Sequence, residues 1–288
     1  MKILITGAGG QLGRELKRSL ATLGEVIALT RQQLDLANTD QLIASIRQHA
    51  PTHIINAAAW TAVDNAETEP DAAHAVNGHA PGALAEEAKR LDAVLVHYST
   101  DYVFDGLGTT PWKESDTPNP QSVYGRSKLA GEQAIAAVGG RCLVLRTSWV
   151  FGLHGANFMN TMLRLAKDRN ELRVIGDQYG TPTWTRHLAD ATALALLHPG
   201  PATGLYHLAA AGETTWHAYA EAIFEEATRL GLLNKTPTVH RITTADYPLP
   251  APRPANSRLD CSLFAREFGL ALPDWRIGLN DCLADHLT

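Results

Sequence analysis

Cysteine is scarce. The three present, Cys142, Cys261 and Cys282, form no CxxC pair and leave an odd count, which excludes a disulfide framework and fits a reducing, cytoplasmic setting. Long apolar runs are absent: none reaches the roughly 18 residues of a membrane span. The opening Met1–Gly7 stretch meets glycine too soon for the apolar region of a signal peptide, so it reads as a first strand. Basic charge is in deficit, with a net charge of -5, which argues against nucleic acid as the main partner. The 12 histidines are scattered without an HExxH or a Cys/His cluster, so no metal site is expected. Internal repeats and low-complexity tracts are also missing. What remains, 45% hydrophobic and 19% charged over 288 residues, suits one large globular domain with a smaller one attached.

Short apolar runs alternate with helical patterns through the first half. Residues 2–6, 26–29, 53–56, 94–98 and 143–146 are rich in Val, Ile and Leu and bounded by turns, whereas 12–23, 41–49, 80–91 and 125–137 follow helical periodicity. This order predicts parallel strands joined by crossover helices, an α/β open doubly wound sheet. Strands covered on both faces explain why the runs are continuously apolar. After about Phe151 the order changes. Helices are predicted over 157–168 and 216–230, with a proline-rich loop at 247–254. The expected division is a first domain of 1–150, to which about 183–205 returns, and a smaller substrate-side domain in the remainder of 151–288.

Directly after the first strand comes Gly7-Ala8-Gly9-Gly10-Gln11-Leu12-Gly13, opening a helix. Gly7, Gly10 and Gly13 permit a tight strand-to-helix turn and close approach of a pyrophosphate, which the helix N-terminus attracts. A plain tight turn explains a glycine triplet equally well in isolation. Set between an initial strand and a helix, it predicts a Rossmann-type dinucleotide site. The second strand ends in Thr30-Arg31 rather than in a carboxylate, so Arg31 is either a ligand for a 2′-phosphate, which slightly favours NADPH over NADH, or a solvated surface arginine. Asp35 and Leu36 are placed against the adenine. Small residues in Asn56-Ala57-Ala58-Ala59-Trp60-Thr61 let a cofactor pass over the sheet edge or simply allow tight packing.

The fourth strand runs into Tyr98-Ser99-Thr100-Asp101, and Tyr124-Gly125-Arg126-Ser127-Lys128 follows on a predicted helix. Tyr and Lys four apart share a helical face. Carbonyl reduction needs a hydride on carbon and a proton on oxygen. A tyrosine with its ordinary pKa near 10 gives up its proton poorly at neutral pH, and a neighbouring ammonium eases that. Thr100, at the carboxyl end of a strand, is placed to polarise the carbonyl.

With these residues the chain resembles the extended short-chain dehydrogenase/reductase superfamily, and within it the dTDP-4-dehydrorhamnose reductase family. The resemblance is carried by 56–64, 99–104, 146–151, 177–183 and 253–259, and runs from residue 3 to about 275. It implies a cytoplasmic oxidoreductase that uses NADPH or NADH on a dTDP-deoxysugar, in the last step of dTDP-L-rhamnose synthesis for cell-surface polysaccharide such as lipopolysaccharide O-antigen. Residue by residue, it implies Gly10, Gln11 and Leu12 at the cofactor diphosphate and Asp35 and Leu36 at the adenosine. Ala59, Trp60 and Thr61 would lie along the cofactor, with Tyr98 beneath the nicotinamide. Tyr124 becomes the proton donor, and Lys128 its pKa partner and ribose ligand. Thr100, Asp101 and Trp149 would meet the sugar nucleotide, Asn157 and Phe158 its base, and Arg253, Asn256 and Arg258 its diphosphate.

Some relatives dimerise through glutamate-bound Mg2+. Glu15 matches one such glutamate, but Arg186 stands where a second is expected, which argues against Mg2+ here and leaves a monomer or weak homodimer. Two rival readings share the fold: a sugar-nucleotide 4-epimerase or 4,6-dehydratase, and a non-catalytic NAD(P)-binding regulatory subunit.

Overall fold

The computed structural model describes residues 1–200 and 203–287. The chain runs β1 (Lys2–Thr6), α1 (Gln11–Leu20), β2 (Glu25–Leu29), α2 (Thr39–His49), β3 (His53–Asn56), α3 (Val63–Thr68), α4 (Pro70–His74), α5 (Ala80–Arg90), β4 (Val94–Thr100), α6 (Val123–Val138) and β5 (Cys142–Thr147). It continues as β6 (Val150–Phe151), α7 (Phe158–Asp168), β7 (Glu171–Ile175), β8 (Tyr179–Gly180), β9 (Thr183–Trp184), α8 (Thr185–Leu196), β10 (Gly204–His207), β11 (Thr214–Thr215), α9 (Trp216–Arg229), β12 (Thr238–Ile242), α10 (Ser262–Phe268) and α11 (Trp275–Ala284).

Six strands form one parallel sheet in the order β10-β5-β4-β3-β1-β2. One face carries Leu16 and Leu20 of α1, Leu188 and Leu196 of α8, and Phe264 and Phe268 of α10. The other carries Leu42 and Ile46 of α2, Leu84 of α5 and Ile135 of α6. Both faces are therefore covered, as the continuously apolar strands require. A separate core joins Met159 and Met162 of α7, Tyr219, Ile223 and Phe224 of α9, and Leu279 and Leu283 of α11. Within the stretch 183–205, α8 packs on the sheet and β10 adds its edge; residues 201 and 202 lie outside the described residues. The later segment 262–272 also returns to the sheet core through Phe264, Phe268 and Leu272. No helix among the described residues is long and apolar enough to cross a membrane.

Some element limits differ from those read in the sequence. β4 runs on through Ser99 and Thr100, because their backbones pair with Arg146 and Thr147 on β5. α1 stops at Leu20, where a turn leads to Gly24, whose φ of 158° and contact with Met1 leave no room for a side chain. The stretch 63–79 folds into α3, α4 and a π-helical turn at Ala75–His79 that apolar spacing alone did not announce. Pro70 opens α4, where its missing N–H costs nothing.

Candidate active site

The sheet order reverses at β1, between β2 on one side and β3 and β4 on the other, and the carboxyl ends of such strands line the ligand crevice of this architecture. Thr6, Asn56 and Thr100 end those strands. The glycine loop leaves β1 there. Gly7 has φ +67°, and a Cβ on it would lie 2.7 Å from the Ala58 backbone nitrogen. A Cβ on Gly13 would lie 2.2 Å from the Gly7 carbonyl oxygen. Only glycine fits either position. Gly10 caps α1 and has no side chain to take up the first-turn N–H groups, so the cradle suits a diphosphate.

The remaining residues expected at the cofactor have mixed settings. Gln11 and Leu12 are half-buried in the first turn of α1. Gln11 reaches across to Asn157, whose amide donates to the Gln11 side-chain oxygen at 2.8 Å. Arg31 is exposed beyond β2, Asp35 is half-buried, and Leu36 is a core residue under β1. Ala59 and Trp60 are half-buried and Thr61 is exposed. Trp60 is held by Asn77 in the π-helical turn, which accepts from the Trp60 N–H at 2.9 Å and donates to its carbonyl at 3.0 Å. Asn77 also donates to Ser127 on α6. Sequence reading missed Asn77, because its role depends on that turn.

α6 carries the Tyr–Lys pair. Ser122 caps it by accepting from the Gly125 N–H at 3.1 Å, a bond worth about 1 kcal/mol. Gly125 and Gly131 let it close on its neighbours: a Cβ on the first would lie 2.2 Å from the Tyr102 carbonyl, and on the second 2.1 Å from the Asn77 carbonyl. A buried bidentate pair, Arg146 of β5 with Glu132 of α6 at 2.9 and 2.6 Å, ties the helix to the sheet.

Enclosure of the Tyr124 hydroxyl pushes the phenol up to about 12; the nearby Thr100 hydroxyl opposes this and the Asp101 charge adds to it. Thr100 donates to Asp101 at 3.1 Å and accepts from the Tyr102 N–H at 3.2 Å. Asp101 is buried, and burial raises its carboxyl to about 6 against hydrogen bonds from Ser257 and Thr100. Lys128 is 2% exposed, and burial lowers it to about 8 although the Glu132 charge opposes this. Its amine does not turn to the phenol. It donates to the Tyr98 carbonyl at 2.6 Å and lies 3.1 Å from His97 Nε2. The Tyr98 ring points away, its hydroxyl 2.7 Å from Thr192 on α8. His97 was missed as well; a histidine within an apolar parallel strand was the available signal.

Among the residues expected at the substrate, Trp149 has φ +45° and stacks on Trp216 at 3.5 Å between ring centroids, with Phe158 packed beside Trp216 at 4.6 Å. A Cβ on Gly180 would lie 2.4 Å from the Trp149 ring, so only glycine leaves the indole its place. Asn157 caps α7 by accepting from the Asn160 N–H at 2.8 Å. Arg253 faces the Tyr102–Tyr124 corner and pairs with Asp64 at 2.7 Å. Asn256 and Arg258 serve the loop 106–112: Asn256 donates to the Thr110 carbonyl at 2.8 Å, and Arg258 to that of Thr109 at 2.8 Å and to Glu213 at 2.7 Å. Glu15 accepts from Arg186 at 3.3 Å, and the other end of that guanidinium pairs with Asp285.

Residues 1–288 match the RmlD substrate binding domain family. The chain is 47% identical to a dTDP-4-dehydrorhamnose reductase of Burkholderia thailandensis, covering 100% of both proteins. It is 46% identical to one of Salmonella typhimurium, covering 100% of this chain and 99% of the relative. Among solved structures it is similar to the dTDP-4-dehydrorhamnose reductase of Bacillus anthracis in complex with NADP, with a TM-score of 0.91, 34% identity, and coverage of 99% of this chain and 100% of that one.

Proposed function

The chain belongs to the RmlD substrate binding domain family, and on that premise we propose that it reduces the C4 ketone of dTDP-4-dehydro-β-L-rhamnose to dTDP-β-L-rhamnose with NADPH or NADH. The observation that carries this reading is the placement of Tyr124 and Lys128 of α6 against the carboxyl end of β4, where the Lys128 amine donates to the Tyr98 carbonyl at 2.6 Å and the Tyr124 ring meets Tyr102 edge-on at 5.4 Å, in the crevice where the glycine loop opens.

The glycine cradle at Gly7, Gly10 and Gly13 fits a dinucleotide diphosphate, with the first-turn N–H groups of α1 as donors. Gln11 and Leu12 flank it, Asp35 and Leu36 lie towards the adenosine, and Ala59, Trp60 and Thr61 lie along the middle. When bound, the nicotinamide supplies the hydride for the ketone carbon. Tyr124 gives its hydroxyl proton to the ketone oxygen, and Thr100 polarises that oxygen from the other side. Lys128 holds the ribose, and the Tyr98 backbone fixes that amine. Asp101, Trp149 and Asn157 are assigned to the sugar nucleotide, and Arg253 to its diphosphate, where a guanidinium fork suits two phosphates. Asn256 and Arg258 are assigned there through the loop they hold. We assign the cofactor to residues 1–150 with about 183–205, and the substrate to the remainder.

NADPH is the favoured donor, because β2 is followed by Thr30 and an exposed Arg31 where a carboxylate would serve a ribose 2′-hydroxyl. The reading includes no Mg2+, since the Arg186 cation already takes Glu15 and Asp285. The test supplies dTDP-4-dehydrorhamnose and follows absorbance loss from NADPH and then NADH. Stoichiometric oxidation by a protein that purifies without cofactor is expected. A tightly retained NAD with no net oxidation would point instead to an epimerase or dehydratase.

A further inference from the structure

Behind Lys128 lies a buried polar chain that the proposed reaction leaves unused. Thr6 Oγ1 on β1 is 2.7 Å from the Asn56 side-chain oxygen on β3. The Asn56 amide nitrogen is 2.9 Å from His97 Nδ1 on β4. His97 Nε2 is 3.1 Å from Lys128 Nζ on α6. Thr6, Asn56 and His97 are each 1% exposed and Lys128 is 2% exposed, so their polar atoms depend on protein partners and not on bulk water. Four polar side chains from four elements in the middle of an α/β core are costly unless satisfied.

Direction matters in such a chain. If the Asn56 amide donates to Nδ1, the neutral ring carries its proton on Nε2 and can only donate towards Lys128, which must then be an uncharged amine. If the Asn56 amide turns over, its oxygen accepts from Nδ1–H, its nitrogen donates to Thr6, and Nε2 accepts from a Lys128 ammonium. Both arrangements give every link of the chain one donor and one acceptor, because the Thr6 hydroxyl and the Asn56 amide can each donate or accept. They differ by one proton on Lys128, released to or taken from solvent, and the imidazole is neutral in both. Burial and the Lys128 charge hold His97 well below the usual histidine range, which keeps the ring neutral.

We propose that His97 is a positioning residue for Lys128: backed by Asn56 and Thr6, its neutral ring gives the Lys128 amine a partner in both protonation states and so governs the pH at which the site changes charge. This rests on the proposed reductase reading. The other ionisable groups nearby are Tyr124 and Glu132 on α6, Asp101 and Tyr98 on or next to β4, and Arg146 on β5, which is paired with Glu132. None of them touches the lysine amine through a side chain; besides His97 its hydrogen-bond partner is the Tyr98 carbonyl, which cannot titrate.

Two measurements test it. The first uses the intact protein with 15N-labelled histidine, the His97 signals being identified by their loss in His97→Phe or, if that variant does not fold, in His97→Gln. The expected result is a neutral ring throughout, with its proton moving from Nδ1 to Nε2 as the pH rises through about 8. One unchanging tautomer across that range overturns the proposal, whether or not the protein reduces the dTDP-ketosugar. The second compares pH profiles of kcat for the wild type, His97→Phe and His97→Gln. The bond to the ammonium is charge-assisted and stronger than the bond to the neutral amine, so its loss is expected to lower the titration by about one pH unit in the phenylalanine variant, and glutamine, whose amide can turn either way, restores the profile. A phenylalanine variant with lower thermal stability but an unmoved profile would make His97 merely structural.

Discussion

The Lys128 amine donates to the backbone carbonyl of Tyr98 at 2.6 Å and not to the phenol of Tyr124 one helical turn before it. The two side chains share a face of α6, but the lysine is drawn against β4 in the middle of the sheet while the Tyr124 ring meets Tyr102 edge-on. Proton donor and cation therefore have separate anchors, and each should respond to pH in its own way.

Lys128 is lowered by burial to about 8, whereas enclosure pushes Tyr124 up to about 12. Tyr124 thus keeps its proton throughout the working range, and the alkaline limb belongs to Lys128. Turnover is expected to be level below pH 7 and to fall roughly tenfold per pH unit above about 8, where the ammonium is lost. A pH profile of kcat at saturating NADPH checks this; a level profile to pH 10 would sever Lys128 from the reaction.

Replacing Tyr124 with Phe removes the proton donor and leaves the cradle at Gly7–Gly13 untouched. A loss of kcat on the order of 10²–10⁴-fold is expected, with NADPH affinity within a few-fold of the wild type. Fluorescence titration of NADPH together with steady-state rates separates the two effects.

Asp101 is raised by burial to about 6. A carboxyl raised in the folded state favours folding when protonated, so its contribution is present below the unfolded value near 4 and is lost as pH rises through about 6. Asp101→Asn mimics the protonated form. It is expected to stabilise the protein by about 3 kcal/mol at pH 8, with the gain vanishing near pH 3.5. Urea midpoints at the two pH values decide it, and equal effects at both would refute the assignment.

Arg146 and Glu132 are 2% and 8% exposed and pair in a fork. Arg146→Met alone leaves a buried carboxylate without its cation and should cost about 3–5 kcal/mol, while Arg146→Met with Glu132→Met should recover most of that. The double-mutant cycle is read from thermal or urea unfolding. A double variant no better than the single one would show that the pair cannot be replaced by apolar packing.

Much of this protein was legible in the linear chain because the signals are local. The apolar runs at 2–6, 53–56 and 94–98 repeat with helices between them, and that periodicity specifies a covered parallel sheet whatever surrounds it. The glycines at 7, 10 and 13 announce their turn because a Cβ at Gly7 or Gly13 strikes backbone. Tyr124 and Lys128 are related by helical spacing alone. Tertiary structure decided what joins distant segments. Only the parallel register brings Thr6, Asn56 and His97 into line behind Lys128, from four elements spread over residues 6–128. The stacking of Trp149 on Trp216 depends on Gly180 in a third segment, and Asn77 finds Trp60 through a π-helical turn without an apolar repeat. Spacing along the chain encodes contacts within one turn of a helix or one strand, whereas the direction in which a buried polar side chain faces is set by partners that arrive only when the sheet closes.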